Sequence, residues 1–226
     1  MNQTRPPRAV IFDFDGVILE SAGIKTEAFL EVFAHYPQHQ EAILEHHLEN
    51  VGISRYRKFE WIYRELLRKP LAEEESRRLG IRFSEIALAK ILKCPFVPGA
   101  RETLEVLSSS SLLFVASGTP QEELELIIGQ RGLKDFFSEV WGTPREKSDI
   151  ICSISLRFEL AVDDIVFIGD GMTDYMAAKD CGVRFLARTN SDAFVNWEGL
   201  GLEPMRDLHG VPHLLGVQEV KNGVMG

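Results

Sequence analysis

The sequence has few cysteines, no long apolar run and a deficit of positive charge, and each shortage excludes a class of protein. Its three cysteines, Cys94, Cys152 and Cys181, lack any paired or metal-ligand spacing, so we expect no disulfide framework, a reducing compartment and three small buried apolar groups. No run approaches the roughly 18 apolar residues of a membrane helix, and no signal peptide is recognisable. A net charge of −9 argues against binding along nucleic acid. The sequence therefore predicts a soluble, cytoplasmic protein without nucleic-acid or membrane partners.

Short apolar runs alternate with helix-like segments along most of the chain. The runs lie at 8–13, 112–117, 165–170 and 183–187, and a glycine lies close to each. The helix-like segments are 100–107, 121–130, 148–158 and 173–181. Strands that alternate with helices pair in parallel, and helices cover both faces of the resulting sheet. The pattern predicts an α/β fold whose ligands bind at the carboxyl ends of the strands.

Residues 20–93 interrupt this alternation. The segment contains no convincing strand but has helical periodicity with many charges. It is followed by the proline-rich segment 95–99 (PFVPG), which suits a hinge. We therefore predict an α/β core formed by residues 1–19 and 94–226, with a helical insert over residues 20–93. The segment after about Asn190 shows too little pattern for an assignment.

Two pairs of aspartates follow predicted strands. Asp13 and Asp15 end an otherwise apolar strand, and Asp170 and Asp174 lie one helical turn apart after another. A single aspartate at such a position often only caps a turn, but if both strands are central and adjacent, four carboxylates converge. Carboxylates so close raise one another's pKa unless a cation compensates them. The pattern favours a hard divalent metal with oxygen ligands, and Mg²⁺ is the natural candidate.

Ser117, Gly118 and Thr119 form a candidate anion site. They lie between a predicted strand and a predicted helix, where a hydroxyl and backbone N–H groups point toward an anion. Lys147, just ahead of the helix predicted from Ser148, offers a positive charge. Each feature also has a simpler interpretation, in which Ser117 is a helix cap and Lys147 is a solvated surface lysine.

Together these positions resemble the four motifs of the haloacid dehalogenase superfamily, in order and at plausible separations. The motifs are residues 13–17 (DFDGV), residues 117–119 (SGT), Lys147, and Gly169 and Asp170 with Asp174. The resemblance covers nearly the whole chain and implies a Rossmann-like parallel sheet with a small all-helical cap inserted after the first strand. It is greatest with the phosphoglycolate phosphatase and β-phosphoglucomutase branch, which commonly has aspartate where this sequence has Glu20.

The resemblance implies a phosphatase with Mg²⁺ as cofactor and a small phosphorylated metabolite, a sugar phosphate or a phosphoglycolate-like compound, as substrate. Asp13 would attack phosphorus and form an aspartyl-phosphate, while Asp15 would act first as general acid and then as general base. Asp174 would orient Lys147 or a metal-bound water. The metal would be bound by Asp13, the Asp15 carbonyl and Asp170, and the phosphoryl oxygens by Ser117, Gly118 and Lys147.

Four other functions fit the sequence less well than a phosphatase. A dehalogenase is disfavoured because its reaction needs no acid at Asp15. A phosphonate hydrolase would need a cap lysine that forms a Schiff base, whereas Lys25 and Lys58 are typical of solvated helix-face charges. A phosphosugar mutase of the β-phosphoglucomutase type would have a lysine shortly after Thr119, and this sequence has none there. A non-catalytic binding or regulatory protein with this fold has no reason to keep all four motifs.

Substrate choice is expected to depend on the cap. Residues 52–55 (GISR) resemble the specificity loop of β-phosphoglucomutase, so Arg55, together with Ser54 and Lys25, is a candidate for contact with the leaving group. An arginine in the first turn of a surface helix is the alternative for Arg55. His46 and His47 are adjacent, so at most one of them can face the active site. The sequence indicates neither the oligomeric state nor the physiological substrate.

Overall fold

The computed structural model describes residues 5–189 and 195–217, which form a parallel sheet covered by helices. The sheet has five strands in the order β3-β2-β1-β4-β5, and every neighbouring pair is parallel. The strands are β1 (Ala9–Phe12), β2 (Leu112–Pro120), β3 (Glu139–Thr143), β4 (Ile165–Gly169) and β5 (Arg184–Ala187). This architecture confirms the predicted α/β fold.

The helices lie on both faces of this sheet and in the insertion after β1. They are α1 (Ala22–Val32), α2 (Gln40–Glu49), α3 (Arg55–Trp61), α4 (Glu73–Ile91), α5 (Ala100–Leu107), α6 (Gln121–Gln130), α7 (Lys147–Arg157), α8 (Met172–Cys181) and α9 (Val211–Leu214). A π-helical turn, Ile62–Leu66, extends α3. Among the described residues no helix is both long enough and apolar enough to cross a membrane.

The central strands are apolar on both sides because each face of the sheet packs on helices. In β1, Val10 and Phe12 belong to one hydrophobic cluster, which includes Leu104 of α5. Ala9 and Ile11 point the other way into a second cluster, which includes Ile150 of α7. Such continuous apolar runs are the reason that β1 and β4 could be predicted from sequence.

Two details of the sheet differ from the prediction. β3 was not predicted, because its residues EVWGT lie at the sheet edge, only half-buried for the most part, and so form no apolar run. β2 continues to Pro120, beyond the predicted end at Ser117, and pairs with β3 through a register shift between Ala116 and Pro120. The glycine after Ser117 therefore lies within an irregular strand end and does not terminate the strand.

The cysteines also differ from the prediction. Cys94 is buried, as expected, but Cys152 is exposed and Cys181 is half-buried. Their sulfur atoms lie 3.4 Å apart, one on α7 and one on α8. Spacing along the chain could not show this proximity, because it results from the packing of two helices.

The insertion over residues 20–93 contains α1–α4 and no strand, and we refer to it as the cap. Its interior is an aromatic cluster in which the Phe29 ring lies 5.4 Å from Phe59 and 5.8 Å from Phe83. The chain enters and leaves the cap side by side, because Leu19 and Phe96 form an antiparallel bridge. Whether the cap is a separate domain from a core of residues 1–19 and 94–226 stays a prediction.

We predict that replacing Leu104 by alanine lowers the free energy of unfolding by about 2–5 kcal/mol, because this fully buried side chain of α5 leaves a cavity against the sheet. Leu156, on α7, is 79% exposed, so Leu156→Ala is a matched control whose effect should stay below about 0.5 kcal/mol. Urea unfolding followed by circular dichroism measures both. Equal effects of the two substitutions would contradict the described packing.

Candidate active site

The carboxyl ends of three adjacent strands bring the predicted site residues together. Asp13 follows β1, Asp170 follows β4, and Ser117 lies near the end of β2. β1 lies between β2 and β4 in the sheet, so these residues meet at its centre, where ligands of parallel sheets bind. The cap covers this edge.

A buried cluster of carboxylates forms the floor of the site. Asp13, Asp170 and Asp174 each present an oxygen within 4.8 Å of the others, and all three residues are buried. Lys147 contacts two of them, because its Nζ lies 3.1 Å from Asp13 Oδ1 and forms an ion pair with Asp174. The second Asp174 oxygen accepts a hydrogen bond of 3.0 Å from the Gly171 N–H.

This crowding perturbs the ionisation of Asp13, Asp170 and Lys147. Burial, with the charges of Asp174 and Asp15, raises the pKa of Asp13 to about 7, even though Lys147 opposes the shift. Burial and the neighbouring aspartates also raise the pKa of Asp170 well above its ordinary value. Burial would lower the pKa of Lys147, but Asp13 and Asp174 outweigh it and raise that pKa.

The donor set fits a hard divalent cation. All the converging ligand atoms are carboxylate oxygens, which Mg²⁺ and Ca²⁺ prefer. Among residues 5–189 and 195–217, the ion pairs of Lys147 and Lys25 bring two positive charges against the four aspartates around the site. A divalent ion would supply two more. Binding by Asp13, Asp15 and Asp170 stays a prediction, and the geometry adds Asp174 as a further carboxylate within the cluster.

The Asp15 carboxylate is turned away from this cluster toward the cap. It accepts hydrogen bonds from Ser21 Oγ at 2.7 Å and Thr119 Oγ1 at 2.8 Å, and it forms an ion pair with Lys25. Burial alone would raise the pKa of Asp15, but Lys25 and the two hydroxyls together lower it. The prediction that Lys25 is a solvated surface charge is therefore wrong, because docking of α1 on the core pairs it with Asp15.

A cap loop packs directly on the candidate phosphate-binding residues. Ser117 is buried and its Oγ accepts the Thr119 N–H at 3.1 Å. A Cβ at Gly118 would lie 2.5 Å from the Gly52 carbonyl oxygen. The neighbouring Val51 carbonyl accepts a 2.7 Å hydrogen bond from Thr173 of the core. Backbone-to-backbone contact of this kind requires glycine at position 118.

Arg55 lines the cavity but its guanidinium already has partners. It donates to both Glu123 oxygens at 2.8 and 3.0 Å and to Ser84 Oγ at 2.8 Å. Because Glu123 belongs to α6 of the core, this ion pair fastens the cap to the core. Ser54 caps α3, accepting the Tyr56 N–H at 3.3 Å. Contact of Arg55, Ser54 or Lys25 with a substrate stays a prediction.

The cavity between cap and core has a volume of about 70 Å³. Asp13, Asp15, Asp170 and Gly118 line its core side. Its cap side contains two groups that the sequence did not indicate as site residues.

These two groups are Lys58 and His47. Lys58 is 3% exposed, so its predicted role as a solvated charge is also wrong. His47 lines the cavity, whereas the His46 ring stacks on Trp61 at 3.7 Å. This arrangement confirms that only one of the two histidines faces the site.

Arg188 was missed by sequence reasoning. It follows β5, and it donates to Glu20 at 2.6 and 3.1 Å and to the Gly16 carbonyl at 2.5 Å. The contacts tie the turn after β1 to the edge of the sheet. Glu20, the departure from the resembled branch, therefore has a local structural partner.

Comparison with known proteins places these features in a family. A family model described as haloacid dehalogenase-like hydrolase matches residues 10–188. Phosphoglycolate phosphatase 1 of Pseudomonas aeruginosa is 26% identical over 204 residues, which cover 82% of this chain and 71% of that protein.

Solved structures share the fold. A predicted phosphoglycolate phosphatase from Haemophilus somnus superposes with a TM-score of 0.70 at 18% identity, covering 95% of this chain and 99% of the other. CbbY from Rhodobacter sphaeroides, in complex with phosphate, superposes with a TM-score of 0.72 at 17% identity, covering 93% and 99%.

We predict that Gly118→Ala prevents the cap loop from closing, because the new methyl group would meet the Gly52 carbonyl at 2.5 Å. Amide hydrogen exchange at residues 50–53 should then become about tenfold faster or more, since that loop loses its contact with the core. Gly129→Ala is the matched control, because nothing lies within 4 Å of a Cβ there. Unchanged exchange at residues 50–53 in Gly118→Ala would show that the contact does not limit closure.

Proposed function

The chain belongs to the haloacid dehalogenase-like hydrolase family and is a phosphatase, and on that premise we propose that it is Mg²⁺-dependent and forms an aspartyl-phosphate on Asp13. The observation that supports this most directly is the contact of Lys147 with both Asp13 and Asp174 beside Asp170. That arrangement combines a carboxylate nucleophile, a cation against it and a set of oxygen ligands in one buried place. Each is needed for transfer of a phosphoryl group.

In the first step an Asp13 oxygen attacks phosphorus, the new O–P bond forms, and the bond from phosphorus to the leaving oxygen breaks. Asp15 gives that oxygen a proton. Lys147 and the Gly118 N–H hold the phosphoryl oxygens whose charge changes during transfer, with Ser117 beside them. A bound metal would be held by Asp13 and Asp170 and would supply neutralisation of phosphoryl charge.

In the second step water attacks the aspartyl-phosphate and Asp15 takes the proton from it, which releases phosphate and restores Asp13. The contacts of Asp15 favour this half of the reaction, because Lys25, Ser21 and Thr119 stabilise its ionised form. To act as an acid in the first step, Asp15 must first take up a proton. We expect that a bound substrate draws Lys25 away and so permits protonation.

The substrate we propose is a small phosphorylated metabolite of the phosphoglycolate or sugar phosphate kind. The named relative from Pseudomonas aeruginosa is a phosphoglycolate phosphatase. The cap residues Lys25, Arg55 and Lys58 line the same cavity as Asp13, which favours a small leaving group. A screen of phosphate release across small phosphate esters, with and without Mg²⁺, tests the proposal.

We predict that Asp13→Asn lowers kcat by on the order of 10³-fold or more, because an amide cannot attack phosphorus. Without metal the same change should increase the free energy of unfolding at pH 8, because it removes a buried charge. That charge costs about 1.4 kcal/mol for each unit by which burial raises the pKa of Asp13. Because the pKa of Asp13 is raised to about 7 in the folded state, this gain should shrink as the pH falls from 7 toward 4.

Phosphate release and urea unfolding in chelator at pH 8 and pH 5 measure these two effects. Asp163→Asn, at an exposed aspartate, is the control and should change neither. Retained turnover in purified Asp13→Asn would refute the assignment of the nucleophile.

We predict that EDTA abolishes turnover and that Mg²⁺ restores it, whereas Ca²⁺ does not. The larger Ca²⁺ takes more oxygen ligands and would hold Asp13 in a bidentate, poorly nucleophilic position. Mg²⁺ should also raise the melting temperature of the wild type, because the metal binds only the folded carboxylate cluster. Full activity in excess chelator would remove metal from the mechanism.

A further inference from the structure

Three cationic side chains of the cap line the cavity, and two of them have acidic partners. Lys25 pairs with Asp15, and Arg55 makes its two-pronged contact with Glu123. The third, Lys58, has no carboxylate within 4.0 Å among residues 5–189 and 195–217. Lys58 is therefore the one cavity-lining cation of this described part of the chain whose charge no acidic side chain balances.

Lys58 is held in place by a neutral histidine. Its Nζ lies 3.1 Å from His47 Nδ1 and 3.1 Å from the His47 carbonyl oxygen. Burial, followed by the charge of Lys58, lowers the pKa of His47 to about 2, so the ring does not compete as a cation. These contacts occupy two of the three ammonium donors.

The hydrogen bonds around His47 have a consistent direction. If His47 Nδ1 accepts from Lys58, the proton of the ring is on Nε2, which lies 3.2 Å from Thr26 Oγ1. Thr26 in turn donates to the Ala22 carbonyl at 3.2 Å. This series of hydrogen bonds holds both His47 and Lys58 against α1, so Lys58 is positioned before any ligand binds.

A buried ammonium without a counter-charge is costly, by several kcal/mol in a protein interior. The cost is visible in the pKa of Lys58, which burial, followed by the charge of Lys25, lowers to about 7. The Phe29 ring, 5.7 Å from Nζ, compensates only in part. An anionic group of a ligand would supply the missing charge in the cavity that Lys58 shares with Asp13.

We propose that Lys58 recognises a second anionic group, a carboxylate or a phosphate, on the leaving group of the substrate. This inference rests on the proposed phosphatase function and narrows its substrate class to compact esters with two anionic ends. The first end is the phosphoryl group at Asp13, and the second lies on the cap side with Lys58. Sugar monophosphates have an uncharged leaving group without a second anion, so they should be poorer substrates.

The test compares phosphate esters of the same two-carbon unit that differ in the charge at the distal end. Wild-type kcat/KM is measured for 2-phosphoglycolate, for ethylene glycol bisphosphate and for 2-hydroxyethyl phosphate, whose distal end is uncharged. We expect kcat/KM for at least one ester with a distal anion to exceed that for 2-hydroxyethyl phosphate by about tenfold to a hundredfold. This is the range for loss of a charge-assisted hydrogen bond. The anionic ester that is preferred identifies the group as carboxylate or phosphate.

The same ratio is then measured in Lys58→Met, which removes the charge at similar volume. The preference for the anionic ester should disappear, whatever happens to the absolute rates. Lys93→Met, at an exposed lysine of the cap, should keep the wild-type ratio. A ratio preserved in Lys58→Met, or no preference in the wild type, would overturn the proposal.

Two further measurements keep the outcomes separate. If Lys58→Met is too unstable for kinetics, Lys58→Arg should retain part of the preference and Lys58→Gln should lose it. If the wild type hydrolyses none of the three esters or p-nitrophenyl phosphate, the proposed phosphatase function fails. Hydrolysis of 2-hydroxyethyl phosphate or p-nitrophenyl phosphate, without any preference for an ester with a distal anion, refutes only the assignment of Lys58.

Discussion

The placement of Lys147 between Asp13 and Asp174 is the interaction on which the rest of the site depends. Two buried carboxylates and a third, Asp170, would repel one another strongly without a cation. Lys147 begins α7 beyond β3, so its position depends on the packing of α7 against the sheet. In the described part of the chain one lysine contacts a cluster of three carboxylates, and this concentration of oxygen ligands is the physical reason for expecting a metal. Fold, ion pair and metal site are therefore parts of one electrostatic arrangement.

The cap completes this arrangement from the other side. Its loop at Val51 and Gly52 touches the backbone at Gly118 and Thr173, and its Lys25 sets the ionisation of Asp15. A closed cap excludes water, which strengthens every charge interaction beneath it. The cap is thus more than a cover, because a residue of α1 controls the ionisation of the proposed acid and base.

Local sequence was enough to predict the core of the site but not its surroundings. Asp13 and Asp170 could be predicted because each follows an apolar strand, and the carboxyl ends of adjacent parallel strands meet at the same edge of the sheet. β3 was missed because an edge strand lacks a continuous apolar run. The helical pattern around Lys25 and Lys58 predicts that both lysines face solvent. They are buried only because the cap helices dock on the core and on one another. Pairings such as that of Arg55 with Glu123 connect segments far apart in sequence, and no spacing rule encodes them.

The bridge between Leu19 and Phe96 has a consequence for how the chain folds. The entropy lost on joining two ends of a flexible loop grows only with the logarithm of its length, and the bridge holds the two ends of the cap together in the folded protein. The core then assembles as though a short turn joined β1 to α5. The length and content of the intervening segment can therefore change with little effect on the topology of the sheet, provided that a cation in the place of Lys25 still faces Asp15.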